Sequence, residues 1–310
     1  MIIIKNLKKY FPTAQGLLKA VDDVSFEIPT GQTVGLVGES GCGKSTLGRL
    51  LLRLYEPTSG EVEFNGTNIF DLSTSQLKNW RKEAQMIFQD PYASLNPRMT
   101  AEDIITEPLK IHRIKAEPAT VEEAFQQVSL NPHYRSHYPH EFSGGQRQRI
   151  GIARALILNP RFLVCDEPIA ALDVSVQAQV VNLLKELQQK MGLTYLFISH
   201  DLRMVRYIAD QVAVMYLGKI VEQAPTELLY TNPLHPYTQA LLSAIPLPDP
   251  IQEKKRTRIV LSGEIPSPLH PPPGCAFCTR CPHVMDICKV KAPPLIQITP
   301  GHKAACHLFN

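Results

Sequence analysis

The sequence lacks any hydrophobic run that approaches the roughly 18 apolar residues needed to cross a bilayer as a helix. At its start, the apolar residues 1–4 are too few for the core of a secretion signal, and lysines follow them instead of preceding them. We therefore expect neither a membrane span nor export. The cysteines are then expected to be in the reducing environment of the cytosol. In that compartment, clustered thiols bind metal more often than they form disulfides.

The chain also lacks a strong excess of charge of one sign. Its 32 basic and 29 acidic side chains give a net charge of +3 over 310 residues, which is too weak to indicate nucleic-acid binding. A short basic run at residues 254–258 lies beside proline-rich sequence. We interpret it as the solvated face of a linker and not as a polyanion site.

Proline and cysteine are unevenly distributed along the chain. Residues 246–310 contain 12 of the 26 prolines and 5 of the 7 cysteines. Residues 1–245 instead alternate short β-rich runs with longer helical patterns, which is typical of an α/β fold with a mainly parallel sheet. The sequence thus predicts one large domain over 1–245 and a proline-rich linker with a small cysteine-rich module over 246–310.

Hydrophobic patterns within 1–245 predict individual elements. Thr33–Val37 has the pattern of a buried strand, and apolar spacing predicts a helix over residues 44–55. Two further strands are predicted at 162–165 and 194–198, with a one-sided apolar helix between them. The polar stretch at about 95–142, rich in proline, asparagine and glutamate, is predicted to be a helical insert outside the sheet.

The clearest chemical motif follows the first of these strands. Residues 38–45, Gly-Glu-Ser-Gly-Cys-Gly-Lys-Ser, match the phosphate-loop pattern G-x-x-x-x-G-K-[ST] between a strand and a helix. Glycines allow backbone N–H groups and the helix N-terminus to surround phosphates. Lys44 is expected to reach the β and γ phosphates of a nucleotide, and the Ser45 hydroxyl to bind Mg²⁺. Cys42 is interpreted as a small tolerated side chain in this loop, with an oxidation switch as the less favoured alternative.

A second motif is the acidic pair Asp166 and Glu167 at the end of a predicted strand. Carboxylates at the C-terminal edge of a parallel sheet face the crevice in which ligands bind. Asp166 is expected to hold Mg²⁺ through water, and Glu167 to polarise the attacking water. Adjacent acids at a strand end are unremarkable alone, so this interpretation depends on the phosphate loop.

A third motif, Phe-Ser-Gly-Gly-Gln-Arg-Gln-Arg at residues 142–149, precedes a helical run. Together with the phosphate loop, the acidic pair and His200, it resembles the signature of the nucleotide-binding subunits of ABC transporters. The resemblance implies a P-loop NTPase cassette, an α/β fold with a mainly parallel sheet, an antiparallel β subdomain and a helical insert. It implies ATP and Mg²⁺ as cofactors and ATP hydrolysis as the activity.

The resemblance also implies roles for residues outside these motifs. Phe11 occupies the position of the aromatic residue that stacks on adenine in the family, with Tyr10 as the alternative. Gln89 occupies the position of a glutamine that contacts Mg²⁺ and water. Asp173 matches a loop aspartate of the family, and His200 matches the histidine that contacts the γ phosphate. Ala170 differs from the family, because relatives often have serine at this position. The implied catalytic residues are Glu167, His200, Lys44 and Gln89, and the implied Mg²⁺ ligands are Ser45, Gln89 and Asp166. The implied nucleotide-binding residues are Phe11, Gly38, Glu39, Ser40, Gly41, Cys42, Gly43, Lys44, Ser45, Thr46, Gln89, Ser143, Gly144, Gly145, Gln146, Asp166 and Asp173.

Each motif occurs once in the chain. In the family, each nucleotide binds between the phosphate loop of one cassette and the signature motif of another. Ser143 lies at a predicted helix N-terminus, which is itself suited to anions. A second cassette must therefore supply the other half of each site. The helical insert and the segment following Gln89 are where family members receive the transmembrane subunits.

Three segments resemble the importers of oligopeptides and dipeptides: residues 90–98, 234–242 and 263–268. With the cysteine array and Gln146, they point to the F-type ATPase of that group. The resemblance implies a D-type ATPase partner, with a homodimer as the alternative, two membrane permeases and an extracytoplasmic peptide-binding protein. It implies a peripheral location on the cytoplasmic face of the inner membrane. Importers of nickel or other small solutes, and soluble ABC ATPases, are the competing hypotheses.

The cysteine array has the spacing Cys275-x2-Cys278-x2-Cys281-x6-Cys288-x17-Cys306. Five thiols in a tail too small for a good core indicate a metal that holds it together. Relatives imply a 4Fe–4S cluster on Cys275, Cys281, Cys288 and Cys306, with Cys278 as an extra thiol. The first three cysteines alone follow a ferredoxin-like spacing, so another choice of four stays open, and four thiolates suit Zn²⁺ equally well.

Overall fold

The computed structural model describes residues 1–246 and 258–309. Its internal contacts divide the chain into two compact units, which are described separately below. Unit 1 comprises Met1–Ile2, Ile28–Thr33 and Phe64–Ser199, and unit 2 comprises Ile3–Glu27, Val34–Glu63 and His200–Asn310. Most of the predicted basic linker run at 254–258 lies outside the described residues, as does part of the predicted linker. The boundary near residue 245 stays a prediction.

Strands and helices alternate over most of the described chain. The strands are β1 Ile2–Thr13, β2 Gly16–Ile28, β3 Thr33–Val37, β4 Ser59–Phe64, β5 Thr67–Asn68, β6 Ala84–Ile87, β7 Phe162–Asp166, β8 Thr194–Ile198, β9 Gln211–Tyr216, β10 Lys219–Pro225, β11 Ile296–Thr299 and β12 His302–Ala304. The helices are α1 Lys44–Leu51, α2 Thr74–Glu83, α3 Pro91–Ser94, α4 Ala101–Ile111, α5 Pro118–Gln127, α6 Gly144–Leu156, α7 Val174–Met191, α8 Leu202–Ile208, α9 Thr226–Thr231, α10 Pro236–Ser243 and α11 Asp286–Val290.

Unit 1 is built around three parallel strands in the order β6-β7-β8. Every residue of β7 and β8 is buried, and apart from Asp166 and Thr194 at their ends these residues are apolar or aromatic, as expected for parallel strands covered on both faces. Because the strands are parallel, their carboxyl ends lie along one edge. The residues that follow β6 and β7 therefore become neighbours, although about 80 positions separate them in the chain.

Unit 2 contains a mixed sheet in the order β11-β12-β10-β9-β3. Strand β3 runs parallel to β9, with Leu36 opposite Ala213, whereas β9, β10, β12 and β11 are joined by antiparallel pairings. A second sheet in this unit has the order β2-β1-β4. The C-terminal strands β11 and β12 thus extend the sheet that begins at the phosphate loop.

The structure confirms the predicted strands at 33–37, 162–165 and 194–198 and the helix between the last two. The first predicted helix is four residues too long, because α1 ends at Leu51 and not at residue 55. Arg53 adopts a φ of 48° and the N–H of Leu54 donates to the carbonyl of Arg49, which together terminate a helix. In the part of the chain that is described, no helix is both long enough and apolar enough to cross a membrane.

Candidate nucleotide site

The phosphate loop connects β3 to α1 in unit 2, as the sequence predicts. Gly38 and Gly43 have φ of 154° and 108°, in a region that side chains rarely adopt. A Cβ atom at Gly38 would lie 2.1 Å from the carbonyl oxygen of Met215, and one at Gly43 would lie 2.0 Å from that of Ala20. Glycine is therefore required at both positions by the backbone that packs against the loop.

Lys44 begins α1 and is buried, with 5% of its surface exposed. Its Nζ donates to the carbonyl oxygens of Gly38 and Glu39 at 2.8 and 3.0 Å, so the ammonium lies inside the curve of the loop. Cys42 is also buried, and burial raises the pKa of its thiol although the nearby Lys44 acts in the opposite direction. A protonated, buried thiol is a poor nucleophile, which favours the interpretation of Cys42 as a small tolerated side chain.

The second residue of the loop, Glu39, contacts a residue that the sequence analysis did not identify. Arg280 donates to both carboxylate oxygens of Glu39, at 2.7 and 3.0 Å. The N–H of Glu39 donates to the hydroxyl of Tyr237 at 2.9 Å. No sequence signal indicated Arg280, since a lone arginine between Cys278 and Cys281 matches no motif.

Unit 1 brings Gln89 and Glu167 together at the carboxyl edge of its strands. The Gln89 amide donates to the Glu167 carboxylate at 2.9 Å. Glu167 is half-buried and has a φ of 47°, and its N–H donates to the carbonyl of Ile198 on the neighbouring strand. Asp166, the last residue of β7, is buried. The acidic pair therefore lies at the carboxyl end of β7, with Asp166 inside the strand and Glu167 in the turn that follows it.

The signature segment forms the N-terminus of α6. Ser143 caps this helix, because its hydroxyl accepts from the N–H of Gln146 while the Gln146 side chain accepts from the N–H of Ser143. The two glycines that follow begin the helix. A Cβ at Gly145 would lie 2.5 Å from Cγ1 of Val176, whereas one at Gly144 would lie 3.5 Å from Leu172. The signature therefore packs against the start of α7, where Asp173 is the exposed N-cap residue.

The remaining predicted residues lie apart from these clusters. The ring of Phe11 is half-buried and makes an edge-on contact with Tyr55, with 5.5 Å between centroids, while the hydroxyl of Tyr10 donates to Asp22. His200 lies two residues after the end of β8 and is exposed. Unit 2 thus contains Phe11, the phosphate loop and His200, and unit 1 contains Gln89, the signature, the acidic pair and Asp173.

Two arginines of α6 contact the segment that follows Gln89. The guanidinium of Arg147 lies 3.8 Å from the ring centroid of Tyr92, a cation–π contact, and also donates to the carbonyl of Phe142. Arg154 donates to the carbonyl of Ser94 at 2.6 Å. The signature helix and residues 92–94 are therefore packed as one surface.

The five C-terminal thiols lie in one region of unit 2. The N–H of Cys275 donates to the carbonyl of Cys288, and burial raises the pKa of the Cys275 thiol to about 12, with Cys288, Cys278 and Cys306 acting in the same direction. Within residues 1–246 and 258–309, however, no three His, Cys, Asp or Glu side chains are arranged to hold a metal ion. The donor chemistry fits a thiolate-bound metal, but the expected ligand set is not confirmed.

Comparisons with known proteins identify the family of this chain. The ABC transporter family matches residues 21–170, and the oligopeptide/dipeptide transporter C-terminal region matches residues 221–288. The chain is 58% identical to the putative oligopeptide transport ATP-binding protein YkfD of Bacillus subtilis (strain 168), covering 100% of this chain and 96% of that protein. It is 55% identical to the oligopeptide transport ATP-binding protein AppF of the same organism, covering 99% and 97%.

Comparison with solved structures identifies the same cassette fold. A dimeric, post-hydrolysis structure of the ATP-binding cassette MJ0796 bound to ADP and Pi superposes with a TM-score of 0.67 at 29% identity, covering 73% of this chain and 99% of that one.

Proposed function

Since this chain belongs to the ABC transporter family and carries the C-terminal region of oligopeptide and dipeptide transporters, we propose that it is the ATP-hydrolysing subunit of a peptide importer. The phosphate loop is the observation that carries this proposal. Packing against the loop requires glycine at positions 38 and 43, and the buried Lys44 lies inside the loop. This is the arrangement needed to hold a nucleoside triphosphate.

ATP with Mg²⁺ is the proposed ligand of this site. Phe11 stacks on the base, and residues 38–46 hold the phosphates, with Lys44 on the β and γ positions. The Mg²⁺ ligands are Ser45, Gln89 and Asp166, and His200 contacts the γ phosphate. Bound Mg²⁺ neutralises charge that develops on the phosphates.

Glu167 is the proposed base, which accepts a proton from the attacking water. Its contact with Gln89 supports this role, because the amide donor orients the carboxylate. The signature residues Ser143, Gly144, Gly145 and Gln146, with Asp173, are proposed to complete the nucleotide site of a second cassette. That arrangement makes hydrolysis depend on a dimer.

The proposed assembly contains a second, D-type ATPase subunit, two membrane permeases and an extracytoplasmic peptide-binding protein. Relatives named as oligopeptide transport ATP-binding proteins support it, as does the surface formed by Tyr92, Ser94 and α6. This surface is proposed to face the permeases. The chain would then lie on the cytoplasmic face of the inner membrane, bound through these subunits.

A 4Fe–4S cluster on Cys275, Cys281, Cys288 and Cys306 is the proposed metal group of the C-terminal module, with Zn²⁺ as the alternative. The thiol-rich donor set supports it, as does the backbone hydrogen bond that joins Cys275 to Cys288. Such a group would link the segment at 275–288 to the C-terminal strands and so stabilise a small module.

Two experiments test this function. First, the purified chain is assayed for Mg²⁺-dependent ATP hydrolysis beside the Lys44→Ala variant, which we expect to lose nucleotide binding. Second, the native complex is purified from its host and reconstituted in vesicles, and ATP hydrolysis is measured with peptides or with nickel supplied to the binding protein. Stimulation by peptides is expected; stimulation by nickel alone would reassign the substrate.

A further inference from the structure

We propose that Arg280 is a positioning residue for ATP binding, which holds the Glu39 carboxylate of the phosphate loop away from the nucleotide and neutralises it. This inference rests on the proposed function, because it requires that the loop bind ATP. It gives the cysteine-rich module a direct part in the chemistry of the cassette.

The ion pair between these residues has the geometry of a specific contact. The two guanidinium nitrogens of Arg280 lie 2.7 and 3.0 Å from the two oxygens of Glu39, which is a bidentate pairing. The side chains are 8% and 24% exposed, so water screens the pair less than it screens an ordinary surface pair. The hydroxyl of Tyr216, at 3.5 Å from the same guanidinium, supports its orientation.

The position of Glu39 explains why such a pair is needed. A loop that binds a triphosphate gathers positive charge and N–H donors, yet its second residue is a carboxylate. Like charges at close range repel each other, and the repulsion grows as the site excludes water. Arg280 cancels this charge by binding the carboxylate, whereas the Lys44 ammonium contacts the backbone carbonyl of the same residue.

The backbone of Glu39 is held by the same part of the molecule. Its N–H donates to the Tyr237 hydroxyl, and the ring of Tyr237 packs against Tyr216 and Phe277, with centroids 4.7 and 5.4 Å away. Phe277 is almost fully buried, and its carbonyl accepts from the N–H of Arg280 at 3.0 Å. Both contacts to Glu39 thus depend on one aromatic cluster.

This cluster joins the loop to the cysteine module. Phe277 and Arg280 alternate with Cys278 and Cys281 along the chain, so the segment that carries the thiols is the segment that reaches Glu39. A change in the conformation of that segment must move the guanidinium. The module is therefore placed to alter ATP affinity through one ion pair.

Removal of each charge, singly and together, tests the proposal in the full-length chain. The Kd of a fluorescent ATP analogue and the KM and kcat for ATP are measured for Arg280→Ala, Glu39→Gln and the double variant. Arg280→Ala leaves the carboxylate unpaired beside the phosphates, so we expect binding about tenfold weaker, with KM raised more than kcat is lowered. Glu39→Gln removes the carboxylate charge and retains the arginine, so we expect it to weaken binding less than Arg280→Ala does.

The double variant distinguishes positioning from simple damage to the module. Because it removes the unpaired carboxylate, it should recover most of the affinity lost in Arg280→Ala. If Arg280→Ala does not fold, Arg280→Gln, which also removes the positive charge, takes its place in the same cycle. Lys289→Ala, which removes an exposed ion pair with Asp286 in the same module, is the matched control and should bind normally.

Two results would overturn the inference: unchanged affinity in Arg280→Ala, or equal losses in the single and double variants. The proposed function fails separately, since it predicts that the unmodified chain binds the analogue and that Lys44→Ala does not.

Discussion

The side-chain amide of Gln89 donates a 2.9 Å hydrogen bond to the carboxylate of Glu167. The two residues follow neighbouring parallel strands, β6 and β7, so the sheet itself brings them together. Gln89 begins the segment whose Tyr92 contacts Arg147 of the signature helix. A movement of this segment would therefore reach both the candidate base and the signature.

We expect Glu167→Gln to reduce ATP hydrolysis about 100-fold or more, because the amide cannot accept a proton from water. ATP binding should persist, since the phosphate loop is unchanged, and the variant should accumulate as an ATP-bound dimer. Steady-state hydrolysis and size-exclusion chromatography with Mg²⁺-ATP measure these two effects. Glu186→Gln, the same change at an exposed position of α7, is the control. Undiminished hydrolysis in Glu167→Gln would refute the assigned role.

Gly145→Ala is expected to destabilise unit 1, whereas Gly144→Ala is not. The new methyl group at 145 would lie 2.5 Å from a Val176 methyl, and a β-branched side chain cannot easily rotate away. Such overpacking costs about 1–3 kcal/mol. At 144 the nearest atom is 3.5 Å away, and alanine there gains helix propensity. Denaturant unfolding measures both variants.

A compensating substitution tests the cause of that difference. Val176→Ala removes the obstructing methyl groups, so the Gly145→Ala/Val176→Ala variant should be more stable than the sum of its two single changes predicts. Strict additivity of the two free-energy changes would show that the contact is not responsible.

Acid should destabilise unit 2 through His235. Burial lowers the pKa of His235 from 6.5 to about 4, although Glu222 acts in the opposite direction. The unfolded chain therefore binds the proton first as the pH falls. The contribution of neutral His235 is complete above pH 6.5 and is lost progressively toward pH 4, to a total of about 3 kcal/mol.

Urea unfolding between pH 7 and pH 4.5 measures this dependence. His235 also caps α10, since its Nδ1 accepts from the N–H of Tyr237, and asparagine can replace that cap. His235→Asn should flatten the loss of stability with acid, and His133→Asn, at an exposed position, should not. Equal slopes in both variants would contradict the prediction.

Metal content should distinguish Cys278 from Cys281. If the ligands are Cys275, Cys281, Cys288 and Cys306, Cys281→Ser loses iron and sulfide while Cys278→Ser retains them. Anaerobic purification with iron, sulfide and zinc analysis measures this, and thermal unfolding should show a less stable module in the variant that loses metal. A colourless protein with stoichiometric zinc would exclude the cluster, and equal retention in both variants would refute the ligand set.

Local sequence determined the chemistry of the candidate site and most of its elements. Each of these features depends on only a few adjacent residues: the glycines of the phosphate loop, the serine cap of α6 and the apolar runs of β3, β7 and β8. Such features follow from backbone conformation and periodic burial, so they can be recognised without knowing the fold. The end of α1 was mispredicted because the positive φ of Arg53, at a non-glycine residue, carries no pattern.

Tertiary structure alone decided which distant side chains meet. Gln89 reaches Glu167 across 78 positions, and Arg280 reaches Glu39 across 241. Nothing in the sequence marks Arg280 as a partner of the phosphate loop, because its role depends on where Phe277 and Tyr237 pack. Motifs are local, whereas the charge that surrounds a loop is set by every segment that folds against it, and only the folded chain brings those segments together.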